Sequence, residues 1–178
     1  MKDFKYYLDN AICDFQIGKY SDSIEKINQS LELKNDWSIP YFYRGAANQA
    51  LENFDDAILD YTKALQFDEK MTDAYYNRAR IILSRKDIEN PDINRAISDL
   101  ERALELDPNF IDALYALAAA YKKIEKYNEA IIYLDKLLEL QPDSIHAKAL
   151  KTLINNTSLR CNTCIVNVLK IFIQNKFF

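Results

Sequence analysis

Small and apolar residues recur along the chain at intervals of three and four positions, with polar residues between them. The pattern is clearest in four segments that align with one another: GKYSDSIEKINQSLELKND, ENFDDAILDYTKALQFDEK, PDINRAISDLERALELDPN and EKYNEAIIYLDKLLELQPD. This spacing is the period of an α-helix that buries one face. We therefore predict an amphipathic helix in each segment, preceded each time by a second helical pattern such as ALYALAAAYKKI.

The alignment repeats two kinds of position. An aromatic residue or isoleucine comes first, at Tyr20, Phe54, Ile93 and Tyr127. Small residues follow at Ser23, Ala57, Ala96 and Ala130, at offsets of 34, 39 and 34 residues, and a further set comes at Ser30, Ala64, Ala103 and Leu137. A short helix pair cannot bury its apolar face alone, so repeated pairs of this kind stack on one another.

The repeat resembles the tetratricopeptide repeat. The residues that carry the resemblance are Gly45, Ala57, Tyr61, Ala64 and Asp68 in the second unit, Ala79, Ala96, Ala103, Leu106, Asp107 and Pro108 in the third, and Leu117, Ala118, Tyr121, Tyr127, Ala130 and Pro142 in the fourth. The first unit is degenerate, because Asn35 replaces the proline. The resemblance implies an all-α, right-handed superhelical solenoid of four helix-turn-helix units. Their bounds are about 4–37, 38–71, 72–110 and 111–144, with a C-terminal capping helix at 143–156 and a separate tail at 157–178.

The helix ends have signals of their own. Polar residues that satisfy free backbone N–H groups are expected to cap the second helix of each unit, at Ser21, Asp55, Asn94 and Asn128. Pro108 and Pro142 end the preceding helices, and Asn109 can cap the next one. The 39-residue spacing puts five extra residues into the turn of the third unit, with Pro91 just ahead of the following helix. This insertion is either a tolerated loop or a contact with a partner.

Composition agrees with a helical, intracellular protein. Only two glycines occur in 178 residues, whereas sheet-rich folds need glycine in their tight turns. The net charge is −4, and because residues 157–178 hold +3, the rest of the chain holds −7. An acidic body argues against nucleic acid as a partner. Acids near the N-terminus and an odd number of cysteines favour the cytoplasm.

The tail differs in composition from the repeats. Five apolar residues fall on one helical stripe: Ile165, Val168, Leu169, Phe172 and Ile173. Asn167 and Lys170 interrupt the run, which is too short to span a membrane. The sequence leaves four interpretations of the tail. It docks on the solenoid or on another protein, it is disordered, it attaches to a membrane surface, or it is an unusual gene end that no function has shaped.

Catalytic and metal-binding patterns are weak. Cys161 and Cys164 form a C-x-x-C pair, but a structural zinc site needs four ligands, and only Cys13 and His146 remain. The two glycines are too far apart for a phosphate-binding loop. A single histidine gives little support to a catalytic triad. We therefore expect no enzyme activity, no cofactor and no metal.

The resemblance implies that a partner peptide or helix binds on the concave surface, which the first helices line. Within DAYYNRARIIL, the family register assigns Tyr75, Ala79 and Ile82 to the core and gives Arg78 no role beyond contact between units. The candidate groove residues are Phe42, Tyr43, Tyr76, Asn77, Arg80 and Tyr115. Exposed aromatic residues are typical anchors for partners. Packing of the same aromatics against neighbouring units or the tail is the alternative.

Some members of this family clamp acidic chaperone C-termini with lysine, asparagine and arginine side chains. Here the matching groove positions in the first two units hold Leu8, Ile12, Phe42 and Ala46. Only Asn77 and Arg80 of the third unit are suggestive of such a clamp, so chaperone tails are disfavoured. The expected function is a non-catalytic protein–protein interaction scaffold. The alternative is a membrane-surface or assembly factor that acts through its apolar tail.

Substitution of Ala96 by leucine tests the predicted helix crossing. The larger side chain should overpack the crossing and lower the free energy of unfolding by roughly 1–3 kcal/mol. Thermal unfolding of the variant measures the loss, and an unchanged melting temperature would remove Ala96 from the crossing.

Overall fold

The computed structural model of the protein describes residues 3–85 and 90–157, and within these ranges every regular element is a helix. The helices are α1 (Phe4–Gln16), α2 (Tyr20–Leu33), α3 (Ser38–Ala50), α4 (Phe54–Phe67), α5 (Thr72–Ser84), α6 (Asn90–Leu106), α7 (Ile111–Lys123) and α8 (Tyr127–Leu140), followed by α9 (145–157). The predicted all-α repeat fold is confirmed. Apart from Thr157, the predicted tail, with Cys161 and Cys164, lies outside the described residues.

The chain divides into two compact parts, Met1–Pro108 and Asn109–Phe178. In the first part α1 packs against α2, α3 against α4, and α5 against α6. These pairs stack because α2 contacts α3 and α4 contacts α5, while α1, α3 and α5 meet one after another. In the second part α7 packs against α8. Each helix pair is one repeat, here numbered 1 to 4; the exact unit boundaries stay a prediction.

Small residues lie where the helices of a pair cross. Gly45 of α3 faces Tyr61 of α4, and a Cβ at residue 45 would lie 3.1 Å from the ring carbon Cε1 of Tyr61. No surface is exposed at the predicted alanines of the crossings: Ala57, Ala64, Ala96, Ala103 and Ala130. Because the side chains are this small, the backbones approach closely and the larger apolar groups fill the remaining space.

The degenerate first repeat keeps its crossing with serine in place of alanine. Ser23 and Ser30 are completely buried. The Ser23 hydroxyl donates to the carbonyl of Ala11 at 2.8 Å, and the Ser30 hydroxyl donates to the carbonyl of Phe4 at 2.8 Å. A buried hydroxyl without a partner would be costly. Here each one links α2 to α1, so the substitution preserves the packing.

The predicted caps of the second helices are wrong. The residues that precede α2, α4 and α8 make no side-chain capping bond. The expected caps lie inside the helices instead: Ser21, Asp55 and Asn128 at the second helical position, and Asn94 further along α6. Polar residues of these types also suit a first turn, where the helix dipole favours an acid such as Asp55. At α7 the N-cap position is Phe110, one residue after Asn109, and Phe110 makes no side-chain capping bond.

The other helix ends follow the sequence more closely. α6 ends at Leu106, before Pro108, and α8 ends at Leu140, before Pro142, as predicted. The insertion in repeat 3 is different, because five residues separate α5 from α6 whereas three separate α3 from α4. α6 also starts three residues before Ile93, the position aligned with the start of α4. Three of the five inserted residues therefore extend the helix, and Pro91 lies in its first turn rather than ahead of it.

The turns within repeats 1, 2 and 4 share one backbone conformation. Gly18, Glu52 and Glu125 occupy the same repeat position and have φ values of 78°, 62° and 62°. The next residue closes the helix end by donating its N–H back over five residues, as from Asn53 to the Asn48 carbonyl at 2.9 Å. A Cβ disfavours the left-handed conformation, so two of the three turns carry strain that glycine avoids.

Buried ion pairs join the helices of repeats 2 and 3. In repeat 2, Nε and Nη2 of Arg44 donate to the carboxylate of Asp60 at 2.6–3.1 Å. Burial alone would lower the pKa of Arg44, but hydrogen bonding to Asp60 and its charge outweigh burial and raise it. In repeat 3, Arg78 donates to both oxygens of Asp99 at 2.7 and 2.8 Å. Arg78 is thus a buried core residue, a role that its sequence register did not reveal.

The same arginines also tie neighbouring repeats together. Nη1 of Arg44 donates to Oδ1 of Asn28 at 2.7 Å, and Nη1 of Arg78 donates to Oγ1 of Thr62 at 2.9 Å. Asn28 and Thr62 are equivalent residues of successive repeats, 34 positions apart. The predicted contact between units at Arg78 is therefore confirmed, and it is one instance of a repeated interaction.

Other repeats fill these positions differently. In repeat 1, Lys26 of α2 takes the position of Asp60 and donates to Asp14 of α1, which takes the position of Asn48, so the positive charge lies on the second helix. Repeat 4 has Leu117 and Tyr133 at the positions of Arg78 and Asp99, so it contains no such pair. The ion pair is one way of filling this space rather than a requirement of the fold.

Substitutions at Glu52 and Gly18, which have positive φ, test the strain in the turns. Glu52→Gly should raise the free energy of unfolding by about 1 kcal/mol, because glycine adopts positive φ without a Cβ clash. Gly18→Ala should lower it by a similar amount, since no other atom lies within 4 Å of the added Cβ and only the backbone is affected. Urea denaturation measures both, and a shift of the same sign in the two variants would contradict the assignment.

Removal of one partner from the buried pair of repeat 3 should be strongly destabilising. Arg78→Leu leaves Asp99 buried and uncompensated, which should lower the free energy of unfolding by about 3–5 kcal/mol. The double variant Arg78→Leu/Asp99→Tyr copies repeat 4 and should recover most of that loss. Chemical denaturation of the two single variants and the double variant completes the cycle. Additive losses would show that the two side chains do not depend on each other.

Candidate binding cleft

A cleft of about 400 Å³ lies on the side of the first compact part that the first helices line. Three first helices contribute to it, and one side chain of α4 forms its floor. Its lining consists of Phe15, Phe42, Ala46, Gln49, Ala50, Tyr61, Asn77 and Arg80. The cleft spans three repeats, so its shape depends on how α1, α3 and α5 stack.

Helical spacing brings the lining residues to one side of each helix. On α3 they lie at positions 42, 46, 49 and 50, and on α5 at positions 77 and 80. Residues three and four apart share a helix face. Ala46 and Ala50 leave open space on α3, while Asn77 and Arg80 border that space from the next repeat.

The floor of the cleft is rigid and uncharged. Tyr61 is almost completely buried, and its hydroxyl donates to Oε1 of Gln49 at 3.0 Å. Burial raises the pKa of Tyr61, so the phenol stays protonated at neutral pH. The ring of Phe42 lies 5.8 Å from that of Tyr61, and Phe42 packs against the same buried cluster. The cleft therefore presents an apolar floor beside two amide side chains.

Arg80 supplies the positive charge of the cleft. Its guanidinium carbon lies 5.8 Å from the centre of the Tyr76 ring. Within the described ranges it has no carboxylate partner, unlike Arg44, Arg78, Arg85 and Arg102. Stacking on an aromatic ring leaves the N–H groups at the edge of a guanidinium available for hydrogen bonds. Arg80 is also exposed, so a ligand can reach it.

The six predicted groove residues have different surroundings. Phe42, Asn77 and Arg80 line the cleft together, and Tyr76 borders it through Arg80. Tyr43 turns instead toward Phe15, with ring centres 5.7 Å apart, and toward the cluster of Leu8, Ala11 and Ile27. Tyr115 lies in the second compact part and is 37% exposed. Leu8, also expected in the groove, is 4% exposed and belongs to that buried cluster.

Sequence reasoning missed four lining residues: Phe15, Gln49, Ala50 and Tyr61. Gln49 and Ala50 continue the α3 face that begins at Phe42, so helical spacing could have found them. Tyr61 is one of the residues that carry the family resemblance, and in the structure it both packs in the core and lines the cleft. Phe15 lies near the end of α1, where the register of the degenerate repeat gives little guidance.

A larger cleft, of about 590 Å³, lies on the other side of α3. Its α3 residues are Tyr41, Arg44 and Asn48. At 100° per residue, these residues point about 150° away from those of the first cleft. The polar groups at its centre already bond to one another, since both Arg44 and Asn48 donate to Asp60. Arg44, Asn48 and Asp60 are therefore committed to one another rather than left for a ligand.

Two kinds of site are absent from the part of the chain with a described structure. Histidine, cysteine and acidic side chains nowhere form a group of three that could hold a metal ion. No helix there is both long and apolar enough to cross a membrane. Cys13 is a free, exposed thiol.

Comparisons with known proteins agree with the repeat architecture. Residues 87–154 match the profile of the family described as "Tetratricopeptide repeat". Sperm-associated antigen 1 of Rattus norvegicus is 37% identical over 107 residues. This match covers 59% of the chain but only 11% of the rat protein, so the chain spans about a tenth of that relative's length.

Solved structures show the same fold at lower identity. MamA from Desulfovibrio magneticus RS-1 superposes with a TM-score of 0.79 and 18% identity, covering 95% of this chain and 93% of that one. The first TPR of Spaghetti (RPAP3), bound to the HSP90 peptide SRMEEVD, superposes with a TM-score of 0.62 and 23% identity. That match covers 68% of this chain and 93% of the other.

Proposed function

The chain is a tetratricopeptide repeat protein, and from this premise we propose that it is a non-catalytic scaffold that binds a protein partner in the cleft of α1, α3 and α5. The observation that carries the proposal is the convergence of Phe42, Asn77 and Arg80 from two repeats on one open space. Such a space, apolar at its floor and bordered by a few polar groups, is typical of a binding site. An extended peptide or a partner helix would lie across the repeats.

The chemistry of the cleft favours binding over catalysis. Its lining has no histidine, cysteine or carboxylate. Its ionisable groups are Arg80, which stays charged, and Tyr61, which stays protonated and bonded to Gln49. General acid–base catalysis needs a group that exchanges protons near the working pH. Neither group does so, and the two amides serve hydrogen bonding.

The proposed partner is a protein or peptide rather than nucleic acid, because residues 1–156 hold a net charge of −7. Chaperone C-terminal tails are disfavoured, since Leu8 is buried and Phe42 and Ala46 offer no charged donors. Binding of the HSP90 peptide is a property of RPAP3, and we do not extend it to this chain. We also propose a cytoplasmic location, from the odd number of cysteines.

Filling the cleft tests the function. Ala46→Trp places a large ring where Ala46 now leaves space, and Ala46 is only half-buried, so the fold should tolerate it. Capture of partners from cells that express the protein, quantified by mass spectrometry, should fall by about tenfold or more. Tyr76→Ala and Arg80→Ala should reduce the capture of the same partners.

The matched control is Leu59→Trp. Leu59 is 64% exposed and lines the cleft on the other side of α3. This variant should keep its partners, and circular dichroism should show that both tryptophan variants are folded. If Ala46→Trp retains every partner while deletion of residues 158–178 loses them, the tail carries the function and the cleft does not.

A further inference from the structure

We propose that the cleft recognises an internal peptide motif in which a large apolar side chain is followed or preceded, within a few residues, by an acidic side chain. This inference rests on the proposed function, because it names the chemistry of the partner that the same cleft would take. Three features of the cleft lead to it: an apolar recess, an arginine without a carboxylate partner among the described residues, and an amide beside that arginine.

The recess selects the apolar side chain. Phe15 and Phe42 provide aromatic walls, and Ala46 and Ala50 leave the space between α1, α3 and α5 open. Phe42 is held from behind by the buried cluster around Tyr61, so it need not lose much conformational freedom on binding. A preordered aromatic wall is a favourable anchor for a leucine-like or aromatic side chain.

Arg80 selects the acidic side chain. Its guanidinium lies against the Tyr76 ring, exposed to solvent, with no carboxylate partner among the described residues. None of the described lining residues carries negative charge, so an incoming carboxylate would have no carboxylate beside it in the lining. A carboxylate can accept two parallel N–H groups from one guanidinium, which adds direction to the attraction. Tyr76 restrains the guanidinium in advance of binding.

Asn77 favours an extended backbone beside that carboxylate. It lies one helical turn before Arg80 and also lines the cleft. No hydrogen bond from its side chain to another described residue occurs. An amide can both donate to a peptide carbonyl and accept from a peptide N–H. Asn77 and Arg80 together therefore suit a peptide backbone with an acidic side chain next to it.

An internal motif fits better than a chain end. A terminal carboxylate next to an acidic side chain presents two negative charges, whereas one guanidinium lines the cleft. The protein's own residues 158–178 also fit poorly, since they contain no aspartate or glutamate. The occupant we propose is therefore a segment within another protein.

Selection from a phage-displayed library of random peptides provides the first test. Peptides selected on the wild-type protein, after removal of those that bind Ala46→Trp, should be enriched in sequences that place Asp or Glu near Leu, Ile, Phe or Tyr. Enrichment of neutral or basic sequences would overturn the inference.

A double-mutant cycle on one selected peptide provides the second test. The peptide is synthesised with acetylated and amidated ends, so that no terminal charge contributes, and compared with its Glu→Gln (or Asp→Asn) counterpart by fluorescence polarisation. The neutral peptide should bind the wild-type protein about tenfold more weakly. Arg80→Gln should reduce that difference to about twofold or less, because the guanidinium is its source.

Arg102→Gln is the matched control. Arg102 is partly exposed on α6, pairs with Glu105 and does not line the cleft. This variant should preserve the full tenfold discrimination. Equal binding of the acidic and neutral peptides, both lost in Ala46→Trp, would overturn the motif and leave the scaffold function standing. Selected peptides that bind Ala46→Trp as tightly as the wild type would remove the cleft as the site and defeat both proposals.

Discussion

Close approach of the two helices in each pair is the constraint on which the structure depends. The alanines of repeats 2 and 3 at the crossings have no exposed surface, and in repeat 1 two serines take their place without leaving a hydroxyl unpaired. Only the side of a helix that carries small residues allows so close an approach. The packing therefore fixes the rotation of each helix about its axis. This rotation also decides which side of each first helix stays open, and on α3 the side that holds Phe42, Ala46 and Ala50 lines the cleft.

Polar interactions refine this arrangement without defining it. Arg44 and Arg78 each join the two helices of a repeat and reach back to the preceding repeat. Repeat 1 has its cation, Lys26, on the second helix and its acid, Asp14, one turn further along the first helix, and repeat 4 replaces both partners by Leu117 and Tyr133. Since the same helix pair accepts all of these solutions, apolar burial and close packing specify the fold. The buried charges are tolerated because each one is fully paired.

Sequence periodicity was sufficient for the features that repeat. The positions of Ala57, Ala96 and Ala130 predicted which helices cross, and the prolines predicted where α6 and α8 end. The caps were wrong because serine, aspartate and asparagine suit both an N-cap and a first turn, and residue type alone does not separate positions one residue apart. The sequence spacing showed that residues were added to repeat 3, but not whether they enter the loop or a helix. In the structure three of them lengthen α6. Tyr43 and Leu8 had the register of groove residues, but the structure packs both into one apolar cluster. That cluster is built from α1 and α2, and Tyr43 of α3 packs against it.

Arg78 and Arg80 show why composition could not separate support from recognition. Two positions along an α-helix turn a side chain by about 200°. Arg78 therefore points to Asp99 and Thr62, where burial requires that its charge be paired within the fold. Arg80 points to the cleft, where it rests on Tyr76. The same residue type therefore stabilises the repeats on one face of α5, and on the opposite face it has the role in partner binding that we propose. If that proposal holds, a substitution in the cleft alters recognition while the interactions that stack the repeats stay intact.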